Sequence, residues 1–320
     1  VNSISKWLAG AWFAAVACSA MAQYPNKPVK MIVPFQAGSA PDVLARAVSE
    51  RLGAAIGQAI VIDNRPGAGG NIGADAAAKA PNDGYTLMLA TISHASNPSL
   101  YRSVNYDPVK DFAPVSLIAR VPGLLVVPAD SPIKSVADLV SAARAKPGAL
   151  NYASGGNGSQ AHFGGELFRQ AANVEIVHVP YKGAPEVLTS LLSNQTAFAF
   201  PTFTTALPQV QGGKLRALAV TSPTRNPKLP DVPTMKEAMP NGFVLNAWFG
   251  IVAPAGVPPE IVNRLNAEIV KILRDPTVRE RIGSDGTEVI TSTPDEFAST
   301  IRADVALWAD IVRKSGIRVE

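Results

Sequence analysis

Two stretches of the chain carry residue types and spacing that could grip a small molecule. Val33–Arg46 reads VPFQAGSAPDVLAR, and Leu150–Phe168 reads LNYASGGNGSQAHFGGELF. Each begins as an apolar run with strand character, breaks at glycine, and turns into a helical pattern. The first helix is expected near Asp42 and the second near Ser159 or Gln160. Amides at a helix start have no intrahelical acceptor and carry a positive partial charge, so backbone alone can hold an anion there. Glycine lets that backbone come close to a ligand. The first turn contains no Lys, Arg or His. Two such turns opening into one cleft would hold an anionic group from both sides, with no side-chain cation required.

Other chemistries fit the residues less well. Gly156–Ala161 matches G-x-G-x-x-A after a strand, but a dinucleotide site wants an acidic residue about 20 positions later, at the end of the next strand. That region reads HVPYKG, without Asp or Glu, and Glu175 comes too early. No serine lies in G-x-S-x-G, so the nucleophile elbow of an α/β-hydrolase is absent. His162 and Glu166 can share a helix face, but a metal site needs more ligands and no H-E-x-x-H occurs. His162 then reads as a polar residue near a helix start, and His178 as a satisfied strand residue. No catalytic residues, metal or cofactor are expected.

The composition is that of a globular chain of 320 residues, 47% hydrophobic and 17% charged, long enough for two domains. Its first 22 residues are read apart from the fold. They carry one charge, Lys6, then an apolar run from Trp7 to Ala17, then Ala20-Met21-Ala22. This is the pattern of a secretory signal peptide cut before Gln23, and the run is too short for an ordinary membrane span. The alternative is a lipoprotein cut before Cys18, the only cysteine. Either cut leaves an exported chain, expected in the periplasm. Without Lys6 there remain 28 basic and 25 acidic side chains, a net charge of +3. The charges are scattered, which reads as a solvated surface and not as a nucleic-acid footprint.

The elements that must position the two turns follow an alternating pattern. VKMIVPF, AIVIDNR, YTLMLAT, SLIARVPGLLVVP, ALNYAS, VEIVHVPY, TAFAFPTF and LRALAVTS read as strands, with helical stretches between most of them. Apolar strands alternating with helices imply an α/β chain with parallel sheets covered by helices. Ser135 is expected to cap one helix, and Thr293 with Glu296 to form a capping box on another. No long linker separates two domains in series. Two crossings near Arg120–Gly123 and Phe243–Phe249 imply instead a discontinuous first domain, 23–121 with 245–320, and an inserted second domain, 122–244. The expected fold is two-lobed, with two doubly wound sheets joined by a two-strand hinge.

At this level of detail the chain resembles a known family. YPNKPVKMIVPFQAG, VIDNRPGAGGNIGA, APNDGYTLMLAT, YDPVKDFAPVSLIA, LNYASGGNGS, VPYKG, GKLRALAVTS and LPDVPTMKEA are similar to the Bug family, the extracytoplasmic solute receptors of tripartite tricarboxylate transporters. The similarity runs from Tyr24 to the C-terminus. It implies a type II-like periplasmic-binding-protein fold, a carboxylate ligand, the transporter's membrane components as partners, and a monomer. Carried over to this sequence, the gripping loops are Phe35–Asp42, with Phe35, Gln36, Gly38, Ser39, Ala40 and Asp42, and Ser154–Ser159, with Ser154, Gly155, Asn157, Gly158 and Ser159. The chain departs from the common PFPPGGGTD pattern, and Pro41 removes an amide there. The hydroxyls of Ser39, Ser154 and Ser159 are expected to donate to the ligand, and Asp42 to turn back and cap its own helix. The resemblance places Thr91–Ser96, Tyr181–Gly183, Thr202–Thr205 and Asn246–Phe249 around the specificity end. There Thr91, His94, Tyr181 and Thr202 offer polar groups, and Phe203 and Trp248 either flank a planar ligand or pack the core. FPTFTT lacks an Asp suited to a ligand ammonium, so a dicarboxylate or aromatic carboxylate is favoured over an amino acid. A sensor presenting the same ligand, or an exported hydrolase, remains open at this point.

Overall fold

The computed structural model describes residues 24–156, 158–181, 183–284 and 286–315. The leader with its cleavage site and Cys18, and also Asn157, lie outside the described residues. The first sheet contains β1 (Val29–Val33), β2 (Ile60–Asn64), β3 (Thr86–Thr91), β4 (Phe112–Pro122), β10 (Asn246–Pro254) and β11 (Glu288–Val289), in the order β11-β4-β10-β3-β1-β2. The second contains β5 (Leu124–Pro128), β6 (Asn151–Ser154), β7 (Val177–Pro180), β8 (Phe198–Ala199) and β9 (Leu215–Val220), in the order β7-β6-β8-β5-β9.

The parallel sheets expected from the alternation are in fact mixed. Pairing is parallel for β1 with β2 and β3, and for β6 with β7 and β8. It is antiparallel for β10 with β3 and β4, and for β5 with β8 and β9. The reason is topological. β4 carries the chain out of the first sheet and β10 brings it back, so two crossings lying side by side must run in opposite directions. The apolar run SLIARVPGLLVVP is accordingly two strands in two sheets, broken at Gly123.

Thr221 ties the crossings together. Its amide donates to Gly123 O at 2.9 Å, and its Oγ1 accepts from Gly123 N at 2.6 Å. The Leu245 amide donates to Thr221 O at 2.9 Å, and the Thr221 hydroxyl donates to Leu245 O.

Helices cover both faces of each sheet. In the first lobe these include α1 (Ala40–Ile56), α2 (Asn71–Ala78) and α3 (Ile92–Leu100), followed after the return crossing by α9 (Pro259–Arg274), α10 (Pro276–Gly283) and α11 (Pro294–Ser315). The second lobe carries α4 (Val136–Ala145), α5 (Gln160–Ala172), α6 (Ala184–Leu192), α7 (Phe203–Gln211) and α8 (Met235–Ala238). Separate apolar clusters fill each side of each sheet. Helix α5 departs from this partition, with both Phe163 and the partly buried Leu167 packing in a first-lobe cluster. Phe163 of α5 is fully buried in a first-lobe cluster, and its ring stacks on Trp308 of α11 with centroids 3.9 Å apart.

Candidate functional site: two matched turns

The first turn joins β1 to α1. Gly38 is left-handed at φ 79°, Ser39 is the extended N-cap of α1, and Pro41 falls in the first turn. Asp42 therefore stands at the third helical position and is not the N-cap expected from sequence. Its carboxylate still reaches back, accepting from Gly38 N at 2.8 Å. It also accepts from Arg46 Nε and Asn64 Nδ2, each at 2.9 Å. The carboxylate is almost fully buried, yet the Arg46 hydrogen bond, followed by the Gly38 and Asn64 bonds, outweighs its desolvation and holds its pKa down to about 2. The Asp42 carboxylate at this turn is thus charge-paired with Arg46.

The second turn joins β6 to α5 and repeats that geometry. Gly158 is left-handed at φ 76°, and Ser159 is the N-cap with φ −71° and ψ 158°, against −70° and 159° for Ser39. Ser159 N donates to Gly156 O at 3.2 Å, just as Ser39 N donates to Gln36 O at 3.2 Å. Gly158 N donates to the residue four positions on, here His162 Nδ1 at 3.0 Å. The two turns share the pattern Gly-Ser-x-x-acceptor. His162 must be neutral, with its proton on Nε2, because Nδ1 accepts. Burial, with the neighbouring His178, holds its pKa down to about 3.

The serine hydroxyls are not free for a ligand as expected. Ser39 Oγ donates to Gln36 O at 2.6 Å, and Ser159 Oγ donates to Gly156 O at 2.7 Å. Ser154 Oγ bonds both the Gly156 backbone, at 3.1 Å, and His178 Nε2, at 2.6 Å. A hydroxyl has one proton, and here it is spent on shaping the turns. What remains at the helix starts is backbone. The amides of Ala40 and Asp42 on α1, and of Gln160 and Ala161 on α5, occupy first-turn positions without intrahelical acceptors.

The other candidate residues fall into several groups. Phe35, Thr91 and His94 come together with Ser93, Asn97 and Tyr106 around a small cavity of about 10 Å³ in the first lobe. His94 is buried between Tyr106 and Phe112, with Nε2 3.1 Å from Pro108 O and Nδ1 without a partner. Burial holds its pKa down to about 4. Gly38 meets Thr204 of the second lobe, with Val121 and Phe249 at the crossings, along a groove of about 690 Å³. Thr202 caps α7, and its hydroxyl lies 2.7 Å from that of Thr205. Tyr181 lies against the second turn, donating its amide to Ser154 O at 2.8 Å. Gln36 is exposed at the tip of the first turn, and Gly155 packs near Gly183. Phe203 and Trp248 pack their cores. Phe203 is fully buried, and Trp248 is 3% exposed with its indole donating to Asp304 at 2.5 Å. The lobes also touch beside the second turn. A Cβ on Gly158 would come within 2.7 Å of Leu100 Cδ1, and Gln160 Nε2 donates to Val121 O at 3.3 Å.

Residue-by-residue reading missed Arg46, Asn64, His162, His178 and Thr221. The spacing held one usable signal, the repetition of Gly-Ser three residues before a hydrogen-bond acceptor at Asp42 and again at His162. No group of three or more metal-ligating side chains occurs among the described residues.

Comparison with known proteins identifies the family and the fold. The chain is 38% identical over 311 residues to the UPF0065 protein in the tcbD-tcbE intergenic region of a Pseudomonas species, covering 95% of this chain and 92% of the relative. It is 37% identical to protein BugT of Bordetella pertussis over 93% of this chain and 92% of that one. Among solved structures, R. palustris Rpa4515 with adipate superposes with a TM-score of 0.81 at 39% identity, covering 92% of this chain and 99% of that one. MatC from Rhodopseudomonas palustris with bound malate gives 0.77 at 32% identity, covering 90% and 100%. The family of tripartite tricarboxylate transporter receptors matches residues 44–317, and the chain belongs to that family of solute-binding receptors, which are not enzymes.

Proposed function

We propose that this receptor captures a small organic dicarboxylate between its two lobes and delivers it to the membrane components of a tripartite tricarboxylate transporter. The observation that carries the reading is the pair of matched turns. Each is braced by its own side chains and leaves first-turn amides as donors, while the buried Asp42 carboxylate at the first is charge-paired with Arg46 and hydrogen-bonded by Asn64. Hydrogen bonds to a charged ligand contribute roughly 1.5–3 kcal/mol each, so a few reach micromolar affinity, about −8 kcal/mol, after association costs. Adipate and malate, bound by two solved relatives, are both dicarboxylates. The burial of Phe203 and Trp248 leaves neither ring face open to a planar ligand, which favours an aliphatic dicarboxylate over an aromatic one.

In this reading the chain works in the periplasm as a monomer. The inserted lobe spans 122–244 and closes on the lobe formed by 23–121 and 245–320. A thermal-shift screen of dicarboxylates, with adipate and malate included, tests the proposal. A ligand at 100 times its Kd adds about 2.7 kcal/mol of stability. No shift with any carboxylate would overturn it.

A further inference from the structure

The carboxylate grip leaves two imidazoles unexplained. His162 on α5 and His178 on β7 stack with centroids 4.1 Å apart and planes 8° from parallel. Each holds one end of the second turn, His178 at Ser154 Oγ (2.6 Å) and His162 at Gly158 N (3.0 Å). The turn is thus pinned at both ends from beneath. Tyr152 extends the stack, its ring 4.9 Å from that of His178, and its hydroxyl donates to Glu166 Oε1 at 3.0 Å. Glu166 in turn pairs with Arg169 at 2.9 Å.

We propose that His162 and His178 form a paired-imidazole clamp that positions the second turn for the ligand, with His162 filling the role that Asp42 fills in the first. The comparison explains why one turn uses a carboxylate and the other an imidazole. Four residues beyond Asp42 stands Arg46, which neutralises it. Four residues beyond His162 stands Glu166, which would repel a carboxylate at 162. Only a neutral acceptor suits the second turn. The groups facing the pair among the described residues are Glu166, whose charge favours a protonated His178, Tyr152 and, through Glu166, Arg169. Burial of both rings and their mutual repulsion act the other way and keep the clamp uncharged. His162 and His178 are therefore positioning residues that reach the ligand only through backbone. This inference rests on the two-turn carboxylate grip.

Three variants of the full chain separate the roles. His162→Asn keeps an uncharged acceptor near the Nδ1 position, His162→Asp keeps an acceptor but adds charge, and His162→Leu removes it. Adipate binding by calorimetry at pH 7 is expected within about threefold of the parent for Asn, and at least tenfold weaker for Asp and for Leu. Without ligand, Gly158 amide exchange is expected to accelerate at least tenfold in His162→Leu and to stay at the parent rate in His162→Asn. In the parent, nitrogen NMR of His162 is expected to show the Nε2–H tautomer between pH 5 and 8. A protonated Nδ1 there overturns the proposal, and this measurement needs no variant to fold. The proposal also falls if His162→Leu matches the parent in exchange and binding, or if His162→Asn is as impaired as His162→Leu. If the parent does not bind adipate, that ligand assignment fails, while exchange and tautomer still decide the clamp.

Discussion

Asp42 and the buried histidines carry charge assignments that follow from their partners. Asp42 holds Gly38, Arg46 and Asn64 together, so Asp42→Ala leaves three donors without their acceptor. That loss is expected to lower stability by about 1–3 kcal/mol, with Asp42→Asn losing less because its amide oxygen can still accept from Gly38. Urea unfolding of the two variants checks the order, and equal stability of parent and Asp42→Ala contradicts it. The histidines predict the acid side of the stability curve. His94 and His162 are held down to about 4 and about 3, so the unfolded chain binds their protons first as pH falls. Their contribution is complete above the ordinary histidine pKa of about 6.5 and declines below it, by about 1.4 kcal/mol per pH unit for each group. The decline ends near pH 4 for His94 and near pH 3 for His162. Asp42 adds a further loss between its ordinary value and about 2. Denaturant melts at pH 7.5 and pH 5 check the sign, and equal stability at both contradicts the neutral-histidine assignment.

The two turns look alike in the fold, but their caps differ. Ser159 Oγ both donates to Gly156 O and accepts from His162 N at 3.3 Å, whereas Ser39 makes no side-chain cap. Ser159→Ala is therefore expected to cost about 1 kcal/mol more than Ser39→Ala, read from paired thermal melts. Equal costs would show that the cap bond contributes nothing. Local chemistry made several elements readable in advance. Ser135 accepts from Asp138 N, and Thr293 with Glu296 forms its capping box, because these signals involve residues three apart. α3 was missed because Ile92–Leu100 contains Ser, Asn and Pro98, poor helix formers that burial against the first sheet overrides. TAFAFPTF looked like one strand but holds only β8 and then the start of α7, since Thr202 caps a helix beginning at Phe203. His162 and His178 looked bland because their roles depend on a stack between residues on different elements, which spacing along the chain does not encode.

Between the lobes, the packing of Phe163 on Trp308 makes a single side chain matter to both. Phe163→Ala is expected to cost about 3–5 kcal/mol and to loosen the contact between lobes, visible as a larger ligand-free radius of gyration in solution scattering. A parent-like melt would show that this contact is not a structural joint. The alternation of apolar strands with helices was legible in the sequence. The mixed strand directions were not, because they depend on the crossings lying side by side, a relation between residues about 125 positions apart, as in Pro122 opposite Asn246.

The knot at Thr221 has a consequence for how such a chain can be rebuilt. Gly123 and Leu245, the points of departure and return, bond to the same residue. The inserted lobe therefore leaves and rejoins its host at almost one place in space, like a cassette with both leads on the same terminal. Exchanging it for the corresponding segment of a relative requires matching that junction, the surface around Phe163 and the contacts of Gly158 with Leu100 and of Gln160 with Val121. A chimera joined at these two points would replace one lobe while the strands and helices of the other stay continuous with their own sheet.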